Sequence, residues 1–201
     1  VTTLANVENY QIGDDSTNAR TVTITRSDTN VTARSNTDAV TFNVGAQAFT
    51  GMISGESTID DNLSLDNGAD ISGGTIANVE ALILASGASV RFSAAQNQCF
   101  TGAIIASGTG INGEEITIVG DGAVTTLANV ENYQIGDDST NTRSVTITSA
   151  FTNVSVNSAS DAVTFTIGAL VYAGAISGEV SVDDILNLEN GADVSGGTLV
   201  N

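Results

Sequence analysis

The sequence contains no histidine, proline or tryptophan, and its single cysteine is Cys99. Without histidine there is no Ser-His-Asp or Cys-His catalytic arrangement and no His-ligated zinc or haem site. One cysteine makes no disulfide framework, thiolate cluster or CxxC motif. Cations are scarce: Lys+Arg is 5, all of them arginine, against 23 Asp+Glu, for a net charge of −18. That balance opposes nucleic acid and anionic membrane surfaces, whose phosphates are bound through Lys and Arg. No apolar run approaches the roughly 18 residues of a membrane span, and no charged-then-apolar leader opens the chain, so membrane insertion is not expected. The reading is of a protein that is not an enzyme.

What is present is a core and a repeat. Hydrophobic residues make up 41% of the chain, enough to pack an interior despite the charge. Residues 1–18, VTTLANVENYQIGDDSTN, recur unchanged at 124–141, an offset of 124 − 1 = 123 residues. The offset holds to the end of the chain, with 52 identities in the 78 aligned pairs, so 1–123 is a first long repeat and 124–201 a partial second. A finer repeat lies inside: LANVENYQI begins at 4 and 127, and the related IANVEALIL at 76. The spacings 72 and 51 differ by 21, which suggests units of about that length, the size from which solenoids are built. Leu199-Val200-Asn201 stops in mid-motif, so the chain reads as a window on a longer array.

Short alternating runs predict strands at TVTIT (21–25), AVTFNV (39–44), NLSL (62–65), ASVRF (88–92), EITIV (115–119), SVTIT (144–148) and AVTFTI (162–167). Val, Ile, Leu or Phe alternates there with Thr, Ser or Asn, a period of two. Turn chemistry (DNGAD, SGG, SGTG, NGEE, GDG) separates them. Only the Ala-rich 93–98 suggests a helical turn. The expected fold is therefore all-β: a parallel β-solenoid running through 1–201 as one continuous segment, with a β-sandwich repeat array as the alternative. Aromatics are only 4%, and small inward side chains suit a narrow coil. Eight to eleven coils about 4.8 Å apart are expected, and 123 divides acceptably into five, six or seven.

TLANVENYQIGDD and TIANVEALIL resemble elements of long, repetitive bacterial surface and secreted proteins of the β-strand-repeat or RTX-like adhesin kind. The resemblance implies an extracellular, cell-surface, calcium-associated structural polypeptide. The tandem GGxGxDxxx nonapeptide of a calcium β-roll is absent, so no calcium site transfers residue by residue.

Paired acids are the candidate sites: Asp14-Asp15, Asp60-Asp61, Glu114-Glu115, Asp137-Asp138 and Asp183-Asp184, all but the Glu pair recurring at 123. Stacked corners place bare carboxylates about 4.8 Å apart, a repulsion of about 1 kcal/mol in water. Either they face screening solvent, or Ca2+ sits among them with six to eight oxygens. Asp66, Asp70, Glu189 and Asp193 fall under the same choice. Asn6, Asn9, Asn67, Asn78, Asn129, Asn132 and Asn190 are read as turn and ladder residues. Cys99 is expected in the core, Tyr10 and Tyr133 at a coil edge, and the arginines beside acids. The function expected is structural: a segment of a fibre, stalk or surface layer, bound end to end to copies of itself or flanking repeats. The alternative is an adhesin repeat that binds glycans or a partner surface through loops 26–36 and 149–159, where Asp28 becomes Phe151 and Arg34 becomes Asn157.

Overall fold

The computed structural model describes residues 1–13, 19–34, 37–106, 113–136, 143–157 and 162–200. They form two compact units, Val1–Arg91 with Cys99–Gly108, and Phe92–Gln98 with Thr109–Asn201.

In the first unit, β1 (Asn9–Gly13), β3 (Asn30–Arg34), β5 (Met52–Ser54) and β7 (Thr75–Ala77) stack in that order. A second sheet stacks β2 (Arg20–Ile24), β4 (Val40–Val44), β6 (Asn62–Leu65), β8 (Ala81–Leu84) and β10 (Ile104–Ala106). β9 (Ser89–Ser93) and α1 (Ala94–Asn97) follow β8 in the chain. In the second unit, β11 (Glu115–Val119), β13 (Asn132–Gly136), β15 (Asn153–Asn157), β17 (Ala175–Ser177) and β19 (Thr198–Val200) lie side by side, as do β12 (Ala123–Thr125), β14 (Arg143–Ile147), β16 (Val163–Ile167) and β18 (Ile185–Leu188).

Every strand pair among the described residues is parallel. A sandwich of hairpins needs antiparallel neighbours, so the fold is the parallel β-solenoid, of about eight turns. Asn9 pairs with Asn30 and Asn132 with Asn153, a step of 21 residues in both cases. That step selects six among the divisions of 123, since 123/6 = 20.5.

The alternation seen in the sequence sorts side chains by face. Val22 and Ile24 lie against Phe42 and Val44, then Leu63 and Leu65, then Leu82 and Leu84, all buried. Opposite them run Val31, Ile53 and Ile76. Each such side chain contributes on the order of 1.5–3 kcal/mol when fully buried. A shorter third side is held by single bridges, Ala48 to Asp70 to Arg91 in the first unit and Val171 to Asp193 in the second. The expected helical turn is α1, where Ser93 and Gln96 form a reciprocal capping box. Runs such as NYQIG and NVTAR are strands as well; their Asn, Gln and Gly hid them, because intercoil pairing rather than β-propensity holds them extended.

Tyr133 is not at an edge. It is buried, its hydroxyl accepting from Leu127 N–H (2.8 Å) and donating to Asn97 Oδ1 (3.1 Å). Burial pushes its pKa well above the ordinary phenol value. Cys99 is half-buried rather than in the core, with Sγ 3.7 Å from the carbonyl of Ile76 and its thiol pKa raised by burial.

Candidate functional site: the polar corners between coils

A corner is where a coil turns from one sheet to the next, and there the polar residues concentrate. Asp61 opens the turn into β6 and is buried. Val40 N–H of the preceding coil donates to its Oδ1 (2.7 Å), and Glu56 N–H to its Oδ2 (2.7 Å). Asp184 repeats the arrangement 123 residues on, accepting from Val163 N–H (2.8 Å) and Glu179 N–H (2.9 Å). Each carboxylate thus ties its own turn to the coil before it. Gly55 leaves room for this, because a Cβ there would lie 2.5 Å from Asp61 Oδ2. In the other direction, Asp61 N–H donates to Glu80 Oε2 at 3.3 Å, so the acids link three successive coils.

Asp60 and Asp183 are exposed and Asp184 is half-buried. Asp14, Asp15, Asp137 and Asp138 lie outside the described residues. Asp70 accepts from the Ser72 amide and hydroxyl (3.0 and 2.6 Å) and faces Arg91 at 3.3 Å, while Asp193 accepts from Ser195 N–H at 2.9 Å. No group of three or more Asp, Glu, Cys or His among the described residues is placed to hold a metal ion. For Asp61 and Asp184 the geometry supports intercoil ties, since both oxygens of each already accept backbone N–H groups.

Two further devices recur at the same offset. The Asn30 amide donates to Asn9 Oδ1 (3.0 Å), and its own oxygen accepts from Met52 N–H (3.0 Å). Asn153 does the same with Asn132 (3.0 Å) and Ala175 N–H (2.9 Å). Asn9 and Asn132 were legible as ladder residues; Asn30 and Asn153 were missed, although each stands 21 residues after its partner. Replacing Asn30 by Ala removes both bonds from a half-exposed rung and is expected to cost about 1 kcal/mol, read as a shift in the urea midpoint with unchanged slope. The third device is a hydroxyl clasp. Thr25 N–H donates to Thr3 Oγ1 (2.9 Å) and Thr25 Oγ1 donates to the Thr3 carbonyl (2.9 Å), and Thr148 and Thr126 repeat both at 3.0 and 2.6 Å. Asn78 and Asn129 serve instead as left-handed turn residues, with φ of 50° and 63°.

Of the arginines, Arg26 binds Asp28 through two bonds (2.9 and 2.7 Å) and lies 3.3 Å from Glu8, and Arg91 faces Asp70. Arg143 is buried and donates to the carbonyl of Gly136 at 2.7 Å.

Crowding of acids gives the fold a definite pH response. Desolvation raises the pKa of Asp61, with Glu56 and Asp60 adding to it, and likewise that of Glu80, with Asp60 and Asp61 adding. Glu131 is raised by desolvation and by its hydrogen bond to the buried Glu114 of the neighbouring coil. A carboxyl whose pKa is higher folded than unfolded contributes stability that is full below the unfolded value and lost as pH rises through the folded one. The thermal midpoint is therefore expected to be higher at about pH 5 than at about pH 7.5 at matched ionic strength. A midpoint that declines steadily over that acidification contradicts the assignment.

Compared with protein-family models, with curated proteins and with solved structures, the chain matches none.

Proposed function

We propose that this chain is a structural segment of an extracellular, repetitive β-solenoid that serves as a fibre, stalk or layer on a bacterial surface. One observation carries the reading. Three pairs of polar residues that recur at 123 residues bond one coil to the next: Asp61 and Asp184, Asn30 and Asn153, Thr25 and Thr148. A site for a ligand leaves polar groups facing outward and unpaired; these face the neighbouring turn. Their duplication with the scaffold fits a non-catalytic role, since repetition multiplies length, whereas a reaction needs one centre.

A scaffold of this kind grows in proportion to its sequence. Adding one further 123-residue period, six coils, is expected to lengthen the particle by about 29 Å, at about 4.8 Å per coil. X-ray scattering of chains with successive added periods measures this, and a maximum dimension that fails to grow with the periods overturns the reading. Calcium enters through the resemblance to RTX-like adhesins and through the paired acids, of which Asp14, Asp15, Asp137 and Asp138 lie outside the described residues. A higher thermal midpoint in millimolar Ca2+ at matched ionic strength supports it, and an unchanged midpoint removes it.

The adhesin alternative has an observation of its own. Where Arg26 and Asp28 tie down one loop, the corresponding loop places Phe151 at 74% exposure. A lone exposed aromatic is a candidate for stacking on a sugar or a partner. Phe151→Ala is expected to abolish glycan or cell binding on this reading, and unaltered binding leaves the inert scaffold.

A further inference from the structure

The strongest evidence of a partner lies where the two copies of the repeat diverge. Of the 78 aligned pairs, 78 − 52 = 26 differ, a third of the total. In the first copy Thr25, Arg26, Ser27, Asp28, Gln47 and Ala48 line one open depression. Their counterparts are Thr148, Ser149, Ala150, Phe151, Leu170 and Val171, so five of six positions differ there, and each difference removes polarity or adds apolar surface. Phe151 and Val171 are 74% and 65% exposed. The backbone beneath them is the same in both copies. Thr50 N–H donates to the Ser27 carbonyl (2.6 Å) and Ala173 N–H to that of Ala150 (2.7 Å), while Asp70 N–H donates to Gln47 (2.9 Å) and Asp193 N–H to Leu170 (3.0 Å). This corner has a coil on either side: the Thr152 hydroxyl donates to the Val130 carbonyl (2.9 Å) on one, and Val171 bridges Asp193 on the other. The patch therefore belongs to the flank of the coils and not to a strand edge awaiting a neighbour.

The first copy shows what such a corner holds. The Arg26 guanidinium occupies it, donating to the Ala5 carbonyl (2.5 Å) and twice to Asp28 (2.9 and 2.7 Å). In the second copy Ser149 replaces that arginine and Phe151 its acid, while Ala128 keeps the place of Ala5. Glu8, 3.3 Å from Arg26, is kept as Glu131, which accepts from Glu114 N–H at 3.2 Å and adds charge nearby rather than a direct contact. Residues 109–201 hold 12 Asp+Glu and one arginine, a net 1 − 12 = −11, and that arginine, Arg143, is buried. A surface so anionic repels acidic partners and draws basic ones. The face of an exposed aromatic ring itself attracts a guanidinium.

We propose that the Phe151 corner is a docking site for a basic segment of a partner protein, whose arginine takes the place that Arg26 holds in the first copy. The proposal rests on the adhesin reading and names the chemistry of its partner. The guanidinium stacks on the Phe151 ring and donates to the Ala128 carbonyl, and apolar side chains beside it cover Leu170 and Val171. Arginine fits better than lysine, because its planar group stacks and donates at once. In the first copy Arg26 and Asp28 fill the same corner with the chain's own ion pair, and the second copy has exchanged that pair for a ring and a small hydroxyl.

The test uses the full chain and a short fluorescent peptide in which arginine alternates with leucine, with binding read by anisotropy in about 0.1 M salt. Ser149→Arg with Phe151→Asp rebuilds the ion pair of the first copy and leaves the net charge at −18, so attraction by charge alone is unchanged. The double variant is expected to bind the peptide about tenfold more weakly. Replacing the peptide's arginines by neutral citrulline is expected to cost the native chain at least as much. Far-ultraviolet circular dichroism checks that the variant keeps its β structure; if it unfolds, Phe151→Leu, which keeps an apolar side chain and loses the ring, takes its place with an expected loss of about threefold. Equal affinity of the native and variant chains, equal affinity for the citrulline peptide, or no binding up to about 1 mM overturns the proposal. Glycan or cell binding that disappears in Phe151→Ala while the arginine peptide does not bind also overturns it, and leaves the adhesin reading standing. That reading fails separately, if Phe151→Ala leaves glycan and cell binding unaltered.

Discussion

Asp61→Ala is expected to lower the unfolding free energy by about 2–4 kcal/mol, one of the largest effects of any single polar substitution in this chain. The mutation leaves Val40 N–H and Glu56 N–H without their acceptor. A buried donor stripped of its partner costs about 1–3 kcal/mol. Removing a desolvated carboxylate, whose charge is already disfavoured at this corner, offsets part of that sum. Asp61→Asn separates the two contributions. Its oxygen keeps one N–H bond, while its amide nitrogen faces the second donor, so the loss is expected to fall between wild type and Ala. Asp184→Ala removes the same pair of bonds from a half-exposed corner, where water replaces the acceptor, and the expected loss is smaller. Urea titration of the variants measures the order. A midpoint for Asp61→Ala equal to that of wild type would remove the intercoil tie from the account.

The second large effect concerns space rather than charge. An alanine Cβ at Gly51 would lie 2.1 Å from the carbonyl oxygen of Thr29 in the preceding coil, and at the corresponding Gly174 it would lie 2.4 Å from that of Thr152. Neither oxygen is the end of a flexible side chain. Both belong to backbone fixed by the stack, and the Gly51 amide is itself bonded to the Ser27 carbonyl at 2.9 Å. Relief requires the coils to separate, which breaks pairing in β3 and β5 on one flank of the corner. Gly51→Ala is expected to cost about 3 kcal/mol or more, beyond the usual range of overpacking, and Gly174→Ala to behave alike. Gly13→Ala is the control: a Cβ there meets nothing within 4 Å among the described residues, and its effect is expected within about 0.5 kcal/mol. Equal stability of the Gly51 and Gly13 variants would show that the coils are not held at this spacing.

Fold class was legible because the solenoid imposes a simple demand on sequence. Val22-Thr23-Ile24 and Val163-Thr164-Phe165 alternate because one face of each strand meets the interior, and the repeat at 123 announces that successive segments do the same work. Even the 21-residue difference between the LANVENYQI spacings equals the coil step. Strands such as NYQIG were less visible, since their extended form comes from neighbours above and below.

The acids show where local reading stops. Asp60 and Asp61 are adjacent and chemically identical in the sequence, and nothing in it separates a solvated carboxylate from a buried one. The stack separates them, turning Asp60 to solvent and Asp61 onto two amides of the structure around it. Tyr10 and Tyr133 make the same point, with identical flanks of at least nine residues on one side and eight on the other, yet one half-exposed and one in the core. By itself, the sequence determined the architecture: parallel coils, a small apolar interior and polar corners, all consequences of periodicity. Tertiary structure alone decided which polar group faces a neighbour and which faces water, because burial depends on the coil above and below, and those residues lie about 21 positions away in the chain.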